Sequence, residues 1–325
     1  MFHVEHSTII SICNQKGGVG KTTTAVNLGA ALALSGCRVL LVDLDPQGNA
    51  TSGLGIEKKN LGRSVYDLLL GRLSLEEAVI STKVQNLSLV PSSVALSGAE
   101  VELVQLPERE HRLKTALKDP QRAAYDLVLI DSPPSLGLLT LNALVASDSV
   151  LIPLQCEYYA LEGLSQLLET IRLVQEGLNS DLSIEGVLLT MADFRTRLTS
   201  DVIQEVRRFF GSKVYDVVIP RSVRLSEAPS HGVPIALFDP GSAGARAYQS
   251  LAEKIIAAKK EEKDSDVGDQ GARQGDPGAH PGEHARLSGE AGLFTSSGSS
   301  ERRGDRLGSN RIDPDRPVPA SEETG

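Results

Sequence analysis

Between Thr8 and Ala258 the apolar positions fall into two alternating patterns. Short, nearly continuous apolar runs occur at Thr8–Cys13, Arg38–Asp43, Leu87–Val90, Leu127–Asp131, Ser149–Leu154, Ile184–Thr190 and Val214–Ile219. Such runs are characteristic of strands buried on both faces. The longer stretches between them predict helices at Lys21–Ser35, Ser64–Leu70, Ala99–Leu117, Leu136–Ala146, Leu161–Gly177, Ser200–Phe210 and Ala243–Ala258. The first is rich in Ala and Leu and stops at Gly36. Strand, helix, strand at this spacing predicts an α/β fold: a mostly parallel, twisted sheet with helices on both faces, its ligand at the carboxyl ends of the strands.

Composition sharpens that picture. Hydrophobic residues make up 40 % of the 325, aromatics only 4 %, and there is no Trp. The interior is therefore aliphatic, as parallel strands of Val, Ile and Leu require. The balance changes near Lys259, where a Lys-Lys-Glu-Glu-Lys run gives way to Gly, Asp, Arg, Ser, Pro and Glu. Such a stretch cannot bury enough apolar surface to offset its ordering entropy. The expected organisation is a flexible N-terminus at 1–7, a single domain at 8–258 and a disordered low-complexity tail at 259–325.

The formal net charge is -9; ten basic and 14 acidic residues from Lys259 onward give -4 and leave -5 for the domain. A mildly acidic domain is no general polyanion binder, so any nucleic-acid contact needs a local basic patch. Cys13, Cys37 and Cys156 are scattered and odd in number, which excludes a disulfide framework and a Cys-based zinc site and predicts buried free thiols. The first residues lack a cationic region followed by an apolar stretch, and no window approaches the apolar length of a membrane span, so a cytoplasmic protein is expected.

The strongest chemical signal is Asn14-Gln-Lys-Gly-Gly-Val-Gly-Lys-Thr-Thr-Thr24, which leaves a strand and opens a helix. Gly17, Gly18 and Gly20 let the backbone approach an anion, with Val19 between them. The N–H groups and the helix N-terminus then point at it. Lys21 is placed to reach the β and γ phosphates of ATP, the Thr22 hydroxyl to ligate Mg²⁺, and Thr23 to bond the α phosphate. The standard loop would begin with Gly at position 15, which is Gln15; here a second lysine, Lys16, opens the loop and faces over the phosphates. Two strand ends supply carboxylates, Val42-Asp43-Leu-Asp45-Pro-Gln47 and Leu129-Ile130-Asp131-Ser-Pro-Pro134. Asp131 takes the Walker B position as metal holder. Asp45 is expected beside the γ phosphate, orienting the attacking water, and Asp43 is expected to fix its loop by hydrogen bonds.

The string Lys16-Gly-Gly-Val-Gly-Lys-Thr22 resembles the deviant Walker A box of the ParA/MinD ATPases. Val42-Asp-Leu-Asp-Pro-Gln-Gly-Asn-Ala-Thr51, Gln155-Cys-Glu-Tyr-Tyr-Ala-Leu-Glu-Gly163 and Arg224-Leu-Ser-Glu-Ala-Pro-Ser-His-Gly232 resemble the ParA/Soj chromosome-partitioning branch. The resemblance runs from about Thr8 to Ala258. It implies an ATP-bound homodimer in which Lys16 of each protomer reaches the other's phosphates and Gly17 must be small. It further implies binding of that dimer to double-stranded DNA without sequence preference, and hydrolysis stimulated by a ParB-like centromere-binding protein. It places DNA contacts at Arg195 and Arg224, which sit among Arg197, Arg207, Arg208 and Arg221, and adenine recognition at Ile219–Ser222. Pro220 is the firmer contact there, because family members often carry Asn at the place of Ser222.

Met1-Phe-His-Val-Glu-His6 can be encoded by ATGTTCCACGTGGAACAT, an inverted repeat that resembles the parS site of ParB-family proteins. A partition site across the start codon is the expectation it raises; chance codon compatibility is the other reading. Competing functions need features the chain lacks. A MinD-like membrane-cycling ATPase needs an amphipathic C-terminal membrane helix, and the tail offers Gly, Pro and charges. A metal-cluster carrier needs paired cysteines, a tyrosine-kinase relative a Tyr-rich tail, and a scaffold without turnover leaves Asp45 unexplained.

Overall fold

The computed structural model describes residues 7–59, 61–157 and 164–273. Almost all of these belong to one compact unit, Met1–Gly271. The hexapeptide Met1–His6, the end of the Gln155–Gly163 string and positions 274–325 of the expected tail lie outside the described residues.

Eight strands form one sheet: β1 (Thr8–Ile12), β2 (Val39–Asp43), β3 (Ile80–Ser81), β4 (Leu87–Val90), β5 (Leu127–Asp131), β6 (Ser149–Gln155), β7 (Ser183–Ala192) and β8 (Val214–Pro220). Their order is β3-β4-β2-β5-β1-β6-β7-β8. Every neighbouring pair is parallel except β3 with β4. The helices are α1 (Lys21–Leu34), α2 (Asn49–Gly53), α3 (Val65–Leu69), α4 (Leu75–Ala78), α5 (Leu96–Leu103), α6 (Arg112–Ala116), α7 (Leu138–Ala146), α8 (Leu164–Gly177), α9 (Arg197–Phe210), α10 (Val223–Glu227), α11 (Ile235–Phe238) and α12 (Ala243–Arg273).

Alternation along each strand explains the two-sided cover. In β2, Val39 and Leu41 pack with Leu28, Leu32, Tyr248 and Leu251 on one face. Leu40 and Val42 pack with Leu68, Leu96 and Leu139 on the other. Strands β6 to β8 are covered by α8 and α9 through Leu164, Leu167, Ile171, Val202 and Val206. With successive side chains on opposite faces, an uninterrupted apolar strand must be buried twice. The three cysteines are free and buried in this interior.

Two expectations are corrected, and one strand was not foreseen. The single helix expected over Ala99–Leu117 is two, α5 and α6. Pro107 cannot sit in a helix interior, and Glu108 takes a left-handed φ of 51° at the break. Strand β3 has only two residues and was not legible as an apolar run. Helix α12 continues beyond Ala258 to Arg273, because the Lys- and Glu-rich run after it is a good helix former.

Candidate functional site

The carboxyl ends of β1, β2 and β5 converge. The parallel register sets Asp131 beside both Ile12 and Asp43, so two acids stand on adjacent strand ends at the root of the glycine loop. Both carboxylates are fully buried. Asp43 accepts hydrogen bonds from the Thr51 backbone (2.8 Å), the Thr51 hydroxyl (2.6 Å) and the Asp45 backbone (3.3 Å), and so ties the β2 loop to α2. Neither oxygen of Asp131 has a hydrogen-bond partner of ordinary geometry. Burial, then the Asp43 charge, hold Asp131 well above the usual carboxylate range; the nearby Thr22 hydroxyl and Lys21 ammonium pull the other way. Burial likewise lifts Asp43 to about 6, against its hydrogen bonds.

The loop between β1 and α1 is wrapped for an anion. Gly18 and Gly20 take φ of 74° and 90°, which bulkier residues rarely adopt. Asn14 pins the entry, accepting from the Lys16 backbone (3.0 Å) and donating to the Pro153 carbonyl (2.7 Å). The Thr190 hydroxyl of β7 donates to the Val19 carbonyl at 2.8 Å. Lys21 Nζ donates to the Lys16 carbonyl at 3.1 Å across the loop. Desolvation holds the Lys21 ammonium below its ordinary range, opposed by the charges of Asp131, Cys13 and Asp45.

A cavity of about 520 Å³ opens from this loop. Gly17, Gly18, Gly20, Lys21, Thr22, Thr23 and Asp45 line one side. Asn49, Ser52 and Gly53 of α2 and the segment carrying Ala228, Pro229, Val233 and Pro234 line the other. Asp45 is nearly buried; its carboxylate accepts from the Gln47 backbone (2.8 Å) and its carbonyl from Ser92 (2.7 Å). Lys16 lies outside this lining, its ammonium 3.4 Å from Glu157. A side chain added at Gly17 would meet only Pro134, at an ordinary 4.0 Å, so this chain's own packing does not demand glycine there. Pro220 and Ser222 do not line the cavity either; Pro220 pairs with Ala192, at the end of the strand whose Thr190 and Met191 abut Gly20.

Sequence reasoning missed the supports of this site. Asn27 donates to the Thr23 carbonyl and accepts from the Ile235 backbone, both at 2.7 Å. The Thr24 and Tyr248 hydroxyls meet at 3.2 Å in the interior. A polar Asn27 in an Ala- and Leu-rich helix was the available signal, and Pro229 lay within the Arg224–Gly232 string without its place on the cavity wall being read; nothing local marks Tyr248.

The arginine cluster is divided. Arg195, Arg197, Arg221 and Arg224 follow the carboxyl ends of β7 and β8, whereas α9, rising about 1.5 Å per residue, carries Arg207 and Arg208 to its far end. The four also have acidic neighbours: Arg195 with Asp193 (2.6 Å), Arg197 with Asp201 (3.9 Å), Arg221 with Glu157 (3.8 Å) and Arg224 with Glu227 (3.2 Å). Arg195 remains 88 % exposed.

The residues fit a bound triphosphate with a divalent cation: a left-handed glycine loop, a buried lysine, and an unpartnered buried carboxylate beside a threonine. A family model described as an AAA domain matches residues 7–184. The sporulation initiation inhibitor protein Soj of Bacillus subtilis is 63 % identical over 249 residues, covering 77 % of this chain and 98 % of Soj. The chromosome partitioning protein ParA of Myxococcus xanthus is 56 % identical over 248 residues, 76 % of this chain and 87 % of that one. Among solved structures, a cobyrinic acid a,c-diamide synthase of Mycobacterium smegmatis with bound ADP and magnesium shares 40 % identity at a TM-score of 0.69, covering 78 % of this chain and 96 % of that one. Identity at this level across nearly the whole length of Soj, on a parallel sheet with the phosphate loop at its carboxyl edge, means that the chain belongs to the ParA/Soj family of partitioning P-loop ATPases.

Proposed function

We propose that this chain is a Mg²⁺-dependent ATP hydrolase of DNA partition. Two copies close on ATP, the ATP dimer holds double-stranded DNA without sequence preference, and a ParB-like protein triggers hydrolysis and release. Its place of action is the cytoplasm, on the nucleoid and not on a membrane. The observation that carries the nucleotide part is Asp131, a wholly buried carboxyl group beside Thr22 and Lys21 whose oxygens accept no hydrogen bond of ordinary geometry. Burial disfavours the ionised form there, and a cation shared with phosphate oxygens would favour it.

On this reading the loop amides of Gly17, Gly18, Val19 and Gly20 hold the phosphates, and Lys21 neutralises the γ end. Thr22 and Asp131 hold Mg²⁺, which supplies charge neutralisation on the phosphate oxygens when bound. Thr23 steadies the α phosphate. Asp45, at the cavity wall, orients the attacking water. Pro220 and Ser222 take the adenine. Lys16 completes the partner's site, a role supported by its position outside its own cavity and by the open space at Gly17. Positioning and electrostatics account for the rate, so turnover is slow until a partner acts.

Arg195 and Arg224 contact phosphates of DNA, giving salt-sensitive, sequence-independent binding. The solved synthase shares the nucleotide-binding frame, which does not by itself distinguish one phosphate acceptor from another; the partition reading rests on the higher identity to Soj and ParA. The test is retention of plasmid DNA by the full chain with ATP and Mg²⁺, with ADP, without nucleotide, and with ATP plus chelator. Retention confined to the first condition is expected. Equal retention in all four would refute the reading.

A further inference from the structure

Resting on the DNA-binding reading above, we propose that Arg224 is held by an acidic clamp that the nucleotide site releases through Asn27 and α11. The Arg224 guanidinium is engaged on three sides by its own chain. Nη1 lies 3.2 Å from Glu227, Nε lies 3.5 Å from Asp239, and the guanidinium carbon sits 5.7 Å from the centre of the Phe238 ring, within cation–π reach. The side chain stays 59 % exposed, so the clamp does not hide the guanidinium; it sets two carboxylates beside it that offset its charge and repel an approaching phosphate.

Two of those three partners ride on one short element. Phe238 ends α11 and Asp239 follows it, while the turn's other end enters the nucleotide cavity through Val233 and Pro234. The turn is stiffened by bonds to the Pro234 carbonyl from the backbones of Leu237 and Phe238 (both 3.0 Å), and by one from Asp239 to the Ile235 carbonyl (2.8 Å). Its first N–H, on Ile235, is bonded to Asn27 at 2.7 Å, and Asn27 is bonded in turn to Thr23 of the phosphate-binding turn. Movement of Thr23 or of the cavity wall therefore reaches Asp239 through one hydrogen-bonded turn. Exposed ion pairs are individually weak, so a small displacement suffices to free the guanidinium, and DNA phosphates can then compete for it.

The experiment measures DNA retention by the full chain at moderate salt with ATP, with ADP and without nucleotide, for Asp239→Asn, Glu227→Gln and their combination. Asp201→Asn, beside Arg197 on α9 and remote from the cavity, is the control for charge alone. Each clamp variant is expected to raise retention with ADP and without nucleotide by about threefold, and the double variant by roughly tenfold, as exposed pairs allow. The ATP state should change less than about twofold, so the ATP-to-ADP ratio shrinks. Asn27→Ala at saturating ATP should lose the ATP-dependent gain, and combining it with Asp239→Asn should restore high retention in every nucleotide state without restoring the dependence on ATP. A rise of equal size in every nucleotide state, as expected of Asp201→Asn, or no rise at all, overturns the clamp alone. Absence of ATP-dependent retention by the unaltered chain overturns the partition reading and the clamp with it.

Discussion

Gly232→Ala isolates the close approach that shapes the far wall of the cavity. Gly232 has φ of 64°, and a Cβ there would stand 2.5 Å from the Gly55 Cα and 3.1 Å from the Gly55 nitrogen. Gly55 cannot give way cheaply: it is itself left-handed at 77°, and the atoms that the Gly232 Cβ would meet there are its own backbone Cα and nitrogen. The left-handed conformation costs an alanine about 1 kcal/mol, and overpacking against a fixed backbone adds about 1 to 3 kcal/mol. Gly36→Ala is the comparison. Its φ is 95° but nothing lies within 4 Å of the added carbon, so only the conformational cost applies. Urea unfolding followed by circular dichroism, since the chain has no Trp, should show a loss of about 2 to 4 kcal/mol for Gly232→Ala and about 1 kcal/mol for Gly36→Ala. Parting the two loops also moves Ala228, Pro229 and Pro234 away from α2. A shift near 1 Å at such a site should cost hydrolysis on the order of tenfold or more, while Gly36→Ala keeps its rate. Equal stability of the two variants, or normal turnover in Gly232→Ala, would refute the claim that backbone contact at Gly55 sets this wall.

Asp45→Ala should bind ATP, dimerise and remain on DNA without turning over; phosphate release at the unaltered rate would remove Asp45 from the reaction. Arg224→Ala should lose DNA retention at moderate salt while a fluorescent ATP analogue still binds, and undiminished retention would acquit it. Without nucleotide, stability should fall as pH rises through the interval from about 4 to about 6. Asp43 and Asp131 have raised folded-state pKa values and bind protons more readily folded than unfolded, so their contribution is fullest at the acid end. The Asp43 shift alone is worth on the order of 3 kcal/mol. Chemical unfolding of Asp131→Asn should show a shallower decline over this window, and an unchanged slope would mean that folding adds no proton at Asp131 there.

The frame of the site was legible because its signals are local. An apolar run ending in an acid announces a strand end, and Gly18 and Gly20 announce a backbone turned left-handed toward an anion. Asp43 was expected to bond its own loop, and its bonds to Thr51 and Asp45 do so. What escaped is what depends on distant chain. Asn27 reveals its purpose only when Ile235 arrives beside it. The arginines read as one cluster because sequence spacing hides the length of α9, which separates Arg207 from Arg195. Pro107 did carry the signal for its helix break, and the apolar positions around it masked that signal. The two residues of β3 hold too little pattern for any strand rule to act on.

The hydroxyls of Thr24 and Tyr248 meet although 224 residues separate them. Translation delivers the glycine loop early and its seat on α12 late. A nascent chain that has not yet extruded Tyr248 carries every phosphate-binding residue, yet Ile10, Leu28 and Leu32 still lack the cover of Tyr248 and Leu251. Such a chain carries the loop without the cover that α12 gives to its face of the sheet, so apolar surface stays open until the last helix arrives.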